Sequence, residues 1–336
     1  MKLIRYLLAA GVVSLLAACG SDDHTTQVPQ PKTILATAQE TPALSSLVAA
    51  VQFASDGNDL VNLLSASGTL TVFAPTNDAF DALARTLTGN ANARATDILV
   101  PANKALVKSV LQYHVLTSQV PSSAIPFGKA ITPAGGGFFK IDLVANKPVI
   151  TDGRNRISNI VTTDIAASNG VVHVIDAVLL PADKTVVQTA IASAPQFTSL
   201  VAALQFASDN GDLVSTLSGT GPFTVFAPTN AAFDALAREL TGNATATAAD
   251  LLVPANKALL RSVLTYHVVA ARVLKADISL NTPVTTVQGS TFVIQSGAAG
   301  VTITDGRNRV ANITATDVLN SNGVVHVIDK VILPPM

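Results

Sequence analysis

Tryptophan is absent from these 336 residues, cysteine occurs once, and charged residues make up only 13% of the chain. A single cysteine excludes an intramolecular disulfide. The formal net charge is −1, so no basic excess is available to hold a phosphate backbone, and nucleic acid is not an expected partner. Only two glutamates occur, Glu40 and Glu239, at unrelated positions of the chain. A carboxylate pair for acid–base catalysis is therefore not indicated.

One eight-residue segment occurs twice and divides the chain into two similar halves. Asn-Gly-Val-Val-His-Val-Ile-Asp fills residues 169–176 and again residues 322–329. Asn-Gly indicates a turn, because both residues tolerate positive φ, and the β-branched run after it is typical of a strand buried on both faces. Other segments recur at the same spacing of 153 residues (322 − 169), a period too long for a solenoid. The sequence therefore predicts a duplicated domain, at residues 32–181 and 184–336.

Within each half, the spacing of apolar residues changes from helical to strand-like. Residues such as Phe80, Leu83 and Leu87 lie on one face of a predicted helix, for which Asn77 is the predicted N-cap. From Ile131 to Leu180 the apolar residues recur with a period of two, which predicts several strands. The last of these strands is predicted to end near Leu180. Helices and strands are segregated along the chain rather than alternating, so the predicted fold class is α+β.

The first 31 residues differ from the rest in composition. A basic start precedes a short apolar run that ends in Leu-Ala-Ala-Cys19-Gly20. This pattern resembles the lipobox of bacterial lipoproteins, which implies a signal peptide at residues 1–18, a lipid anchor on Cys19 and, since the next residue is Gly20 and not Asp, the outer membrane. Residues 19–31 are polar and predict a flexible tether. The alternative is an ordinary secretory signal in which the cysteine is incidental.

Three segments, each present twice, resemble conserved segments of the fasciclin (FAS1) domain. They are Thr-Val-Phe-Ala-Pro-Thr-Asn, the short element Tyr-His-Val and the duplicated Asn-Gly segment, in that order in both halves. The resemblance covers nearly everything from residue 33 to residue 334. It implies two tandem fasciclin domains, each a β-wedge with packed helices. It also implies an extracellular or periplasmic adhesion or binding module and not an enzyme.

The same resemblance implies candidate binding residues. In matrix-type fasciclin proteins, an Asp-Ile pair just ahead of the Asn-Gly turn is implicated in cell binding, and the Tyr-His pair is implicated in adhesion too. The second half has Val in place of Ile, and the residues before each pair do not match the family's adhesion motifs. The alternative is that the aspartate organises the turn into the last strand. The candidate binding residues are Asp164, Ile165, Asp317, Val318, Tyr113, His114, Tyr266 and His267.

The histidines and one aspartate-led turn also admit a metal-site interpretation. His114, His173 and their counterparts lie among apolar residues, which indicates core histidines bonded to the backbone, with a metal site or a pH sensor as the alternative. Residues 152–156, Asp-Gly-Arg-Asn-Arg, resemble a calcium loop, but the second acid and the terminal Glu are missing, which favours a hairpin turn. No phosphate loop or nucleophile elbow occurs. We therefore expect no cofactor and no catalytic residue.

The expected function is binding at the bacterial cell envelope, with a protein or a cell-surface polymer as the partner. A periplasmic accessory lipoprotein with a resident partner is the first alternative, and a small-ligand or metal binder that uses the histidines is the second. Duplication would supply two weak sites and raise avidity. The two halves differ most at residues 124–146 and 277–299, where we expect them to differ in partner. The short join before a helix predicted from Lys184 favours a restricted relative orientation of the domains.

Overall fold

A computed structural model describes residues 32–297 and 300–336. Two repeats with the same order of elements fill this part of the chain, and each repeat has its helices packed against one seven-stranded sheet. The α+β class predicted from the sequence is confirmed. No helix of the described residues is both long and apolar enough to span a bilayer. Cys19, the signal peptide and the tether, all predicted above, lie outside the described residues.

The first repeat begins with three short helices and continues through a strand and three more helices into the rest of its sheet. Short 3₁₀ turns at Pro42–Leu44, Pro101–Asn103 and Ser122–Ala124 join these elements. Its helices are α1 (Ile34–Gln39), α2 (Ser45–Ala54), α3 (Asp59–Ser65), α4 (Asn77–Thr88), α5 (Ala95–Ile98) and α6 (Lys104–Tyr113). Its strands are β1 (Leu70–Pro75), β2 (Val115–Leu116), β3 (Ala130–Ile131), β4 (Phe139–Val144), β5 (Lys147–Thr151), β6 (Ile157–Ala167) and β7 (Gly170–Ile175).

The second repeat follows the same order of helices and strands, with a 3₁₀ turn in the place of α5 and no 3₁₀ turn between its first two helices. Its 3₁₀ turns are Ala248–Leu251, Pro254–Asn256 and Lys275–Asp277. Its helices are α7 (Val186–Ala192), α8 (Thr198–Ala207), α9 (Asp212–Ser218), α10 (Asn230–Thr241) and α11 (Lys257–Tyr266). Its strands are β8 (Phe223–Pro228), β9 (Val268–Val269), β10 (Pro283–Thr285), β11 (Thr291–Gly297), β12 (Gly300–Thr304), β13 (Val310–Asn320) and β14 (Gly323–Ile328).

The duplicated segment forms a central strand of each sheet, as the sequence predicted. Strand β7 pairs in parallel with β1 and antiparallel with β6, in the order β2-β1-β7-β6-β5-β4-β3, and β14 takes the same place between β8 and β13. Every residue of β7 and of β14 is buried. The helices cover one side of this strand, and a second apolar cluster, which includes Phe73, Phe139 and Ile175, fills the wedge on the other side.

The glycine of the Asn-Gly turn is required by a close backbone contact. A Cβ at Gly170 would lie 2.0 Å from the carbonyl oxygen of Leu70, and one at Gly323 would lie 2.0 Å from that of Phe223. Gly170 also has a φ of 152°, whereas Asn169 is not among the described residues with positive φ. The turn prediction is thus confirmed, but its asparagine is selected for another reason, its side-chain hydrogen bonds.

Two predicted helix starts are wrong by one or two residues. The N-cap of α4 is Thr76, whose hydroxyl accepts the amide of Ala79, while Asn77 accepts the Ser46 amide at 2.8 Å and so links α4 to α2. An asparagine and a threonine side by side are both good N-caps, and only the tertiary contact decides between them. The first helix of the second repeat begins at Val186, not at Lys184, because Thr185 caps it.

The last predicted strand also ends earlier than expected. Strand β7 ends at Ile175, and the apolar residues up to Leu180 are buried without pairing in the sheet. The amide of Leu179 binds His114 Nε2 at 2.8 Å, and that of Leu180 binds Asp152 Oδ2 at 2.9 Å. Side chains therefore satisfy this backbone in place of a neighbouring strand. Leu87, predicted on the buried face of α4, is 52% exposed.

Candidate functional site

Asp164 lies at a bulge in β6, with its carboxylate at the surface. The pairing of β6 with β7 shifts register between Thr162 and Ile165, and Asp164 has a φ of 60°, which few residues other than glycine adopt. Its Oδ1 accepts the amide of Ser122 at 2.8 Å, and its Oδ2 accepts the hydroxyl of the same serine. These hydrogen bonds, the hydroxyl first, hold the pKa of Asp164 below its usual range, so the group is charged at neutral pH.

A buried histidine fixes the backbone of this bulge. The amide of Asp164 donates to Nδ1 of His173 at 3.3 Å, and Nε2 of the same ring lies 2.9 Å from the carbonyl oxygen of Val120. These two partners require a neutral ring with its proton on Nε2. The turn interpretation of Asp164 is therefore wrong, because Asn169 holds the turn into β7 while Asp164 joins β6 to the 3₁₀ turn at Ser122–Ala124.

Asp317 repeats this geometry in β13, but the first repeat covers it. It has the same φ of 60°, its amide donates to Nδ1 of His326 at 3.2 Å, and its Oδ1 accepts the Lys275 amide at 2.7 Å. Its Oδ2 accepts Lys140 Nζ of the first repeat at 2.7 Å, and only 3% of the Asp317 side chain is exposed. Two aspartates in equivalent positions thus differ in access, since Asp164 is exposed and Asp317 is buried against its own chain.

The contact between the repeats is built around one aromatic ring. Phe138, 4% exposed, packs in an apolar cluster with Leu274, Leu319 and Val324 of the second repeat. The guanidinium carbon of Arg272 lies 4.3 Å from the centre of the same ring, which is the geometry of a cation–π pair. Buried aromatic residues and the arginines beside them are the residues that contribute most to the stability of interfaces.

Two polar contacts extend this interface. The side-chain amide of Asn155 exchanges two hydrogen bonds with the backbone of Leu319, at 2.6 and 2.9 Å, as a neighbouring strand would. Lys129 binds Asp277 Oδ1 at 2.7 Å and the carbonyl oxygen of Ala276. Lys129, Phe138 and Lys140 all belong to residues 124–146, so the segment predicted to differ in partner has the second repeat as its partner.

The hydrophobic neighbours of the two aspartates lie between core and surface. Ile165 is half-buried and packs against the helical core of the first repeat, and Val318 does the same in the second. Asp164 therefore presents a charged side chain at the surface, while Ile165 is only partly exposed because it packs against the helices of its own repeat. Asp317 and Val318 present no comparable surface, because the first repeat covers the aspartate.

The four predicted Tyr-His residues lie in the core of each repeat. Tyr113 and Tyr266 are fully buried, and their hydroxyls donate to the carbonyl oxygens of Phe138 and Thr291. His114 is 1% exposed, and its ring bridges the carbonyl oxygen of Val110 and the amide of Leu179. These side chains hold helix ends against the sheet and offer no surface to a partner. Burial also raises the pKa of Tyr113 above its ordinary value.

Burial keeps both helix-end histidines neutral. It lowers the pKa of His114 to about 4, against a smaller opposing effect of the hydrogen bond to Val110, and lowers that of His267 to about 4 in the same way. In all four rings, including those of His173 and His326, both nitrogens form hydrogen bonds with backbone groups, as the core-histidine interpretation predicted. The described residues contain no cluster of three or more His, Cys, Asp or Glu side chains that could hold a metal ion.

The segment with a passing likeness to a calcium loop is a hairpin turn. Asp152 is 1% exposed, and its carboxylate accepts the amides of Arg154, Arg156 and Leu180, each at 2.9 Å. The guanidinium of Arg156 adds two more hydrogen bonds to it, at 2.8 and 3.0 Å. With its oxygens committed to protein donors, this carboxylate is a structural group that ties the turn to the residues after β7.

Comparison with known proteins identifies the fold that carries this site. The fasciclin domain family matches residues 42–181 and 195–334, which is most of the chain. The chain belongs to the fasciclin domain family. The matched proteins are fasciclin-domain proteins of the adhesion type and not enzymes, as the sequence predicted. The predicted tandem of two fasciclin domains is likewise confirmed.

Fasciclin-domain relatives occur in bacteria and in animals. The chain is 42% identical over 154 residues to protein sll1483 of Synechocystis, covering 45% of this chain and 74% of that protein. It is 36% identical to immunogenic protein MPB70 of Mycobacterium bovis, covering 44% of this chain and 69% of the relative. It is 27% identical to human periostin over 83% of this chain, but it spans only 30% of that protein's length.

A FAS1 domain pair from the insect cell adhesion molecule fasciclin I is similar in structure. It is 19% identical, with 87% of this chain and 97% of that chain covered and a TM-score of 0.41.

Sequence reasoning missed the residues that distinguish the two fasciclin repeats. Phe138, Lys140 and Asn155 cover the Asp317 site, yet nothing in their local sequence predicts an interface. One signal was available, because residues 124–146 differ most between the repeats. At the equivalent positions, 153 residues on, Phe138 is replaced by Thr291 and Lys140 by Val293.

Proposed function

We propose that this fasciclin pair is a lipid-anchored binding protein of the bacterial cell envelope, and that it binds a protein or a surface polymer through the exposed Asp164-Ile165 surface of its first repeat. One observation carries the proposal. Asp164 keeps the strained backbone and the hydrogen bonds of Asp317, but it lacks the covering cation that Asp317 has in the same chain. Among the described residues it forms no ion pair.

Physical reasoning favours a partner at this position over a purely structural role. A non-glycine residue at positive φ costs free energy and is kept where the surrounding structure fixes it, as His173 does here. A carboxylate that is already ordered by Ser122 loses little side-chain entropy when a partner binds it. The neighbouring Ile165 adds partly exposed apolar surface to this charge.

Binding is tested with the labelled chain from Gly20 onward, which contains every described residue, on cells and isolated surface polymers of the source organism. We expect saturable binding, and we expect Asp164→Asn to weaken it about tenfold, the equivalent of about 1.4 kcal/mol. Asp78→Asn, an exposed aspartate in α4, is the matched control and should bind like the unchanged chain. Equal binding by the two variants would reject the Asp164 site, provided that both unfold at the same temperature.

The anchor is tested separately. Mass spectrometry of the full chain made in a Gram-negative host should show acylation of Cys19, and Cys19→Ser should release the protein from membranes. Protease added to intact cells then distinguishes a surface protein, which is cut, from a periplasmic protein that binds a resident partner. An unmodified Cys19 in a cleaved, secreted chain would support the ordinary signal peptide instead.

A further inference from the structure

Each repeat has an equivalent face of its sheet, and among residues 32–297 and 300–336 only the face of the second repeat is covered by the other repeat. The Asp317 face consists of Arg272, Leu274, Asp317, Leu319 and Val324. The Asp164 face consists of the residues 153 positions earlier, Gln119, Pro121, Asp164, Ala166 and Val171. Gln119, Asp164 and Ala166 are exposed, Pro121 is half-buried, and Val171 is buried within β7. The first repeat occupies the Asp317 face with a lysine, an aromatic ring and a side-chain amide.

The contacts on the Asp317 face define what such a face recognises. Lys140 and Phe138 lie two residues apart at the start of β4, so one extended segment supplies both the cation and the apolar anchor. The backbone of Leu319, which opposes Val324 across β13 and β14, is free on its outer side to pair with Asn155. The Asp317 face therefore recognises its occupant by three contacts together, namely an ion pair with the lysine, apolar packing of the aromatic ring and hydrogen bonds from the Leu319 backbone.

The Asp164 face keeps the parts that bind charge and backbone. Asp164 has the φ of Asp317 and the same hydrogen bond from a histidine-held amide. Ala166 opposes Val171 as Leu319 opposes Val324, so the same backbone groups point outward. The Ser122 hydroxyl binds Oδ2, but a carboxylate has about four acceptor positions, so capacity for a cation remains.

The apolar part of the Asp164 face is smaller. Pro121 and Ala166 replace Leu274 and Leu319, and Gln119 replaces the arginine that stacks on Phe138. The contact surface is therefore less apolar, and the charge must supply a larger share of the recognition. A partner without a cation would leave Asp164 partly desolvated and unpaired, which is unfavourable.

We propose that the Asp164 face binds an extended segment of another protein, and that this segment carries a lysine or arginine two residues from an apolar side chain. The proposal rests on the function proposed above and names the chemistry of its partner. A second copy of this chain does not fit, because Lys140 is engaged within its own molecule and the equivalent edge of the second repeat carries Thr291 and Val293, without a cation. Two observations therefore indicate a cationic extended segment as the partner, namely the negative charge of Asp164 and the lysine that occupies the equivalent Asp317 face.

A hairpin copied from the chain itself is the probe. A synthetic peptide of residues 138–153, extended by one cysteine at each end and closed by a disulfide between these two cysteines, presents Phe138 and Lys140 on its first strand. A second peptide carries Lys140→Gln. Their affinities for the chain from Gly20 onward are measured by fluorescence anisotropy. We expect the lysine hairpin to bind about tenfold tighter than the glutamine hairpin, and Asp164→Asn in the chain to abolish that preference.

Two further variants locate the hairpin. Because it copies the natural occupant of the Asp317 face, it is also measured on Asp317→Asn, where the lysine preference should persist, and on Asp78→Asn, where nothing should change. Thermal unfolding confirms that each variant is folded. The proposal would be overturned if the two hairpins bound with equal affinity, or if the lysine preference survived in Asp164→Asn. It would also be overturned if the preference were lost only in Asp317→Asn, or if the chain associated with itself in a way that depends on Asp164.

The hairpin experiment and the cell-binding experiment can fail independently. Cell binding that needs Asp164, together with hairpins bound equally well, would keep the proposed function and remove the cationic-strand partner. A lysine preference at Asp164 without any binding to cells would keep the recognition chemistry and point away from a surface partner.

Discussion

At the scale of single residues, the four described histidines connect backbone segments that have no strand to pair with. His114 links the end of α6 to the amide of Leu179, and His173 links the bulge at Asp164 to the carbonyl oxygen of Val120. Each ring must be neutral to accept one hydrogen bond and donate another. Protonation of His114 or His267 removes the acceptor and places a charge in an apolar interior, so these two residues connect the stability of the fold to pH.

We predict that the free energy of unfolding falls as pH drops from 6.5 toward 4. The pKa of His114 is lowered to about 4 in the folded chain, so the stability that it contributes is complete above its unfolded pKa near 6.5 and is lost below it. The loss is about 3 kcal/mol for His114 and similar for His267. Urea unfolding followed by circular dichroism at pH 7 and pH 4 measures most of this loss, of which about 2 kcal/mol per histidine should already be visible at pH 5.

Removal of one titrating ring should flatten this pH dependence. His114→Gln should lower stability at pH 7, because a buried hydrogen-bond pair is lost, and should lose less stability between pH 7 and pH 5 than the unchanged chain does. Thr117→Ala, at an exposed position, should keep the original dependence. A His114→Gln chain with the original slope would assign the pH effect to other groups.

At the scale of elements, one buried asparagine per repeat joins the helices to the central strand. Asn169 accepts the amide of Ile34 at the start of α1, and its amide group donates to the carbonyl oxygens of Leu64 and Ala66 at the end of α3. Asn322 makes the equivalent three bonds in the second repeat. The turn before β7 is thus the point that positions both short helices.

We predict that Asn169→Asp releases α1 from the first repeat. The carboxylate cannot donate to two buried carbonyl oxygens, and each unpaired group costs about 1–3 kcal/mol. Hydrogen exchange should speed up across α1 and the end of α3, while Ser168→Ala, one residue earlier and exposed, should leave it unchanged. Unchanged protection of α1 in Asn169→Asp would show that apolar packing alone holds this helix.

The order of these elements follows from the sequence, but several of their ends do not. The central strand, the helix of Phe80 and the turn at Asp152 all follow from local pattern, because each is decided by residues that are neighbours in the chain. Thr76 and Asn77 are equally good caps by local criteria, and a contact with Ser46 assigns their roles. Leu179 and Leu180 resemble a strand because they are apolar, yet His114 and Asp152 take the place of the neighbouring strand.

At the scale of the whole molecule, Lys140 and Asp317 determine how the two repeats are joined. The exposed fraction of their side chains is 11% and 3%, and Asp142 adds a second carboxylate 2.9 Å from the lysine. Burial alone would lower the pKa of Lys140, but hydrogen bonds to the carboxylates of Asp317 and Asp142 raise it, so the lysine is charged at neutral pH. Sequence reasoning placed a candidate site at Asp317 and could not see it covered, since its partner is 177 residues away in the chain.

We predict that Lys140→Met uncouples the repeats. Breaking a buried ion pair leaves an uncompensated charge and costs about 3–5 kcal/mol. The chain has no tryptophan, and Tyr113 and Tyr266 report on one repeat each, so Tyr113→Phe in the chain from Gly20 onward makes fluorescence specific for the second repeat. Fluorescence and circular dichroism should then give separate urea transitions with Lys140→Met and a single transition without it.

The matched control is Lys147→Met, an exposed lysine in the neighbouring strand β5. It should keep the single transition, and Lys140→Met combined with Asp317→Asn should recover part of the lost stability. Small-angle scattering provides an independent measurement, because the unchanged pair should fit one rigid arrangement. Scattering of the unchanged chain that requires independently moving repeats would contradict both this prediction and the short-join argument.

The contact between the repeats joins two different surfaces, so the tandem has a defined direction. The start of β4 in one repeat meets the aspartate face of the next repeat, so the two surfaces in contact are unlike and the same contact can be repeated along a series of repeats. The second repeat cannot extend the series, because Thr291 and Val293 stand where the first repeat has Phe138 and Lys140. The first repeat still presents Asp164. The carbonyl oxygens of Lys32 and Lys184 accept the backbone amides of Ser168 and Ser321, so these two lysines lie at equivalent starts of the two repeats. A copy of residues 32–183 fused ahead of Lys32 should therefore place its own Phe138 and Lys140 on the Asp164 face and give a row of three repeats.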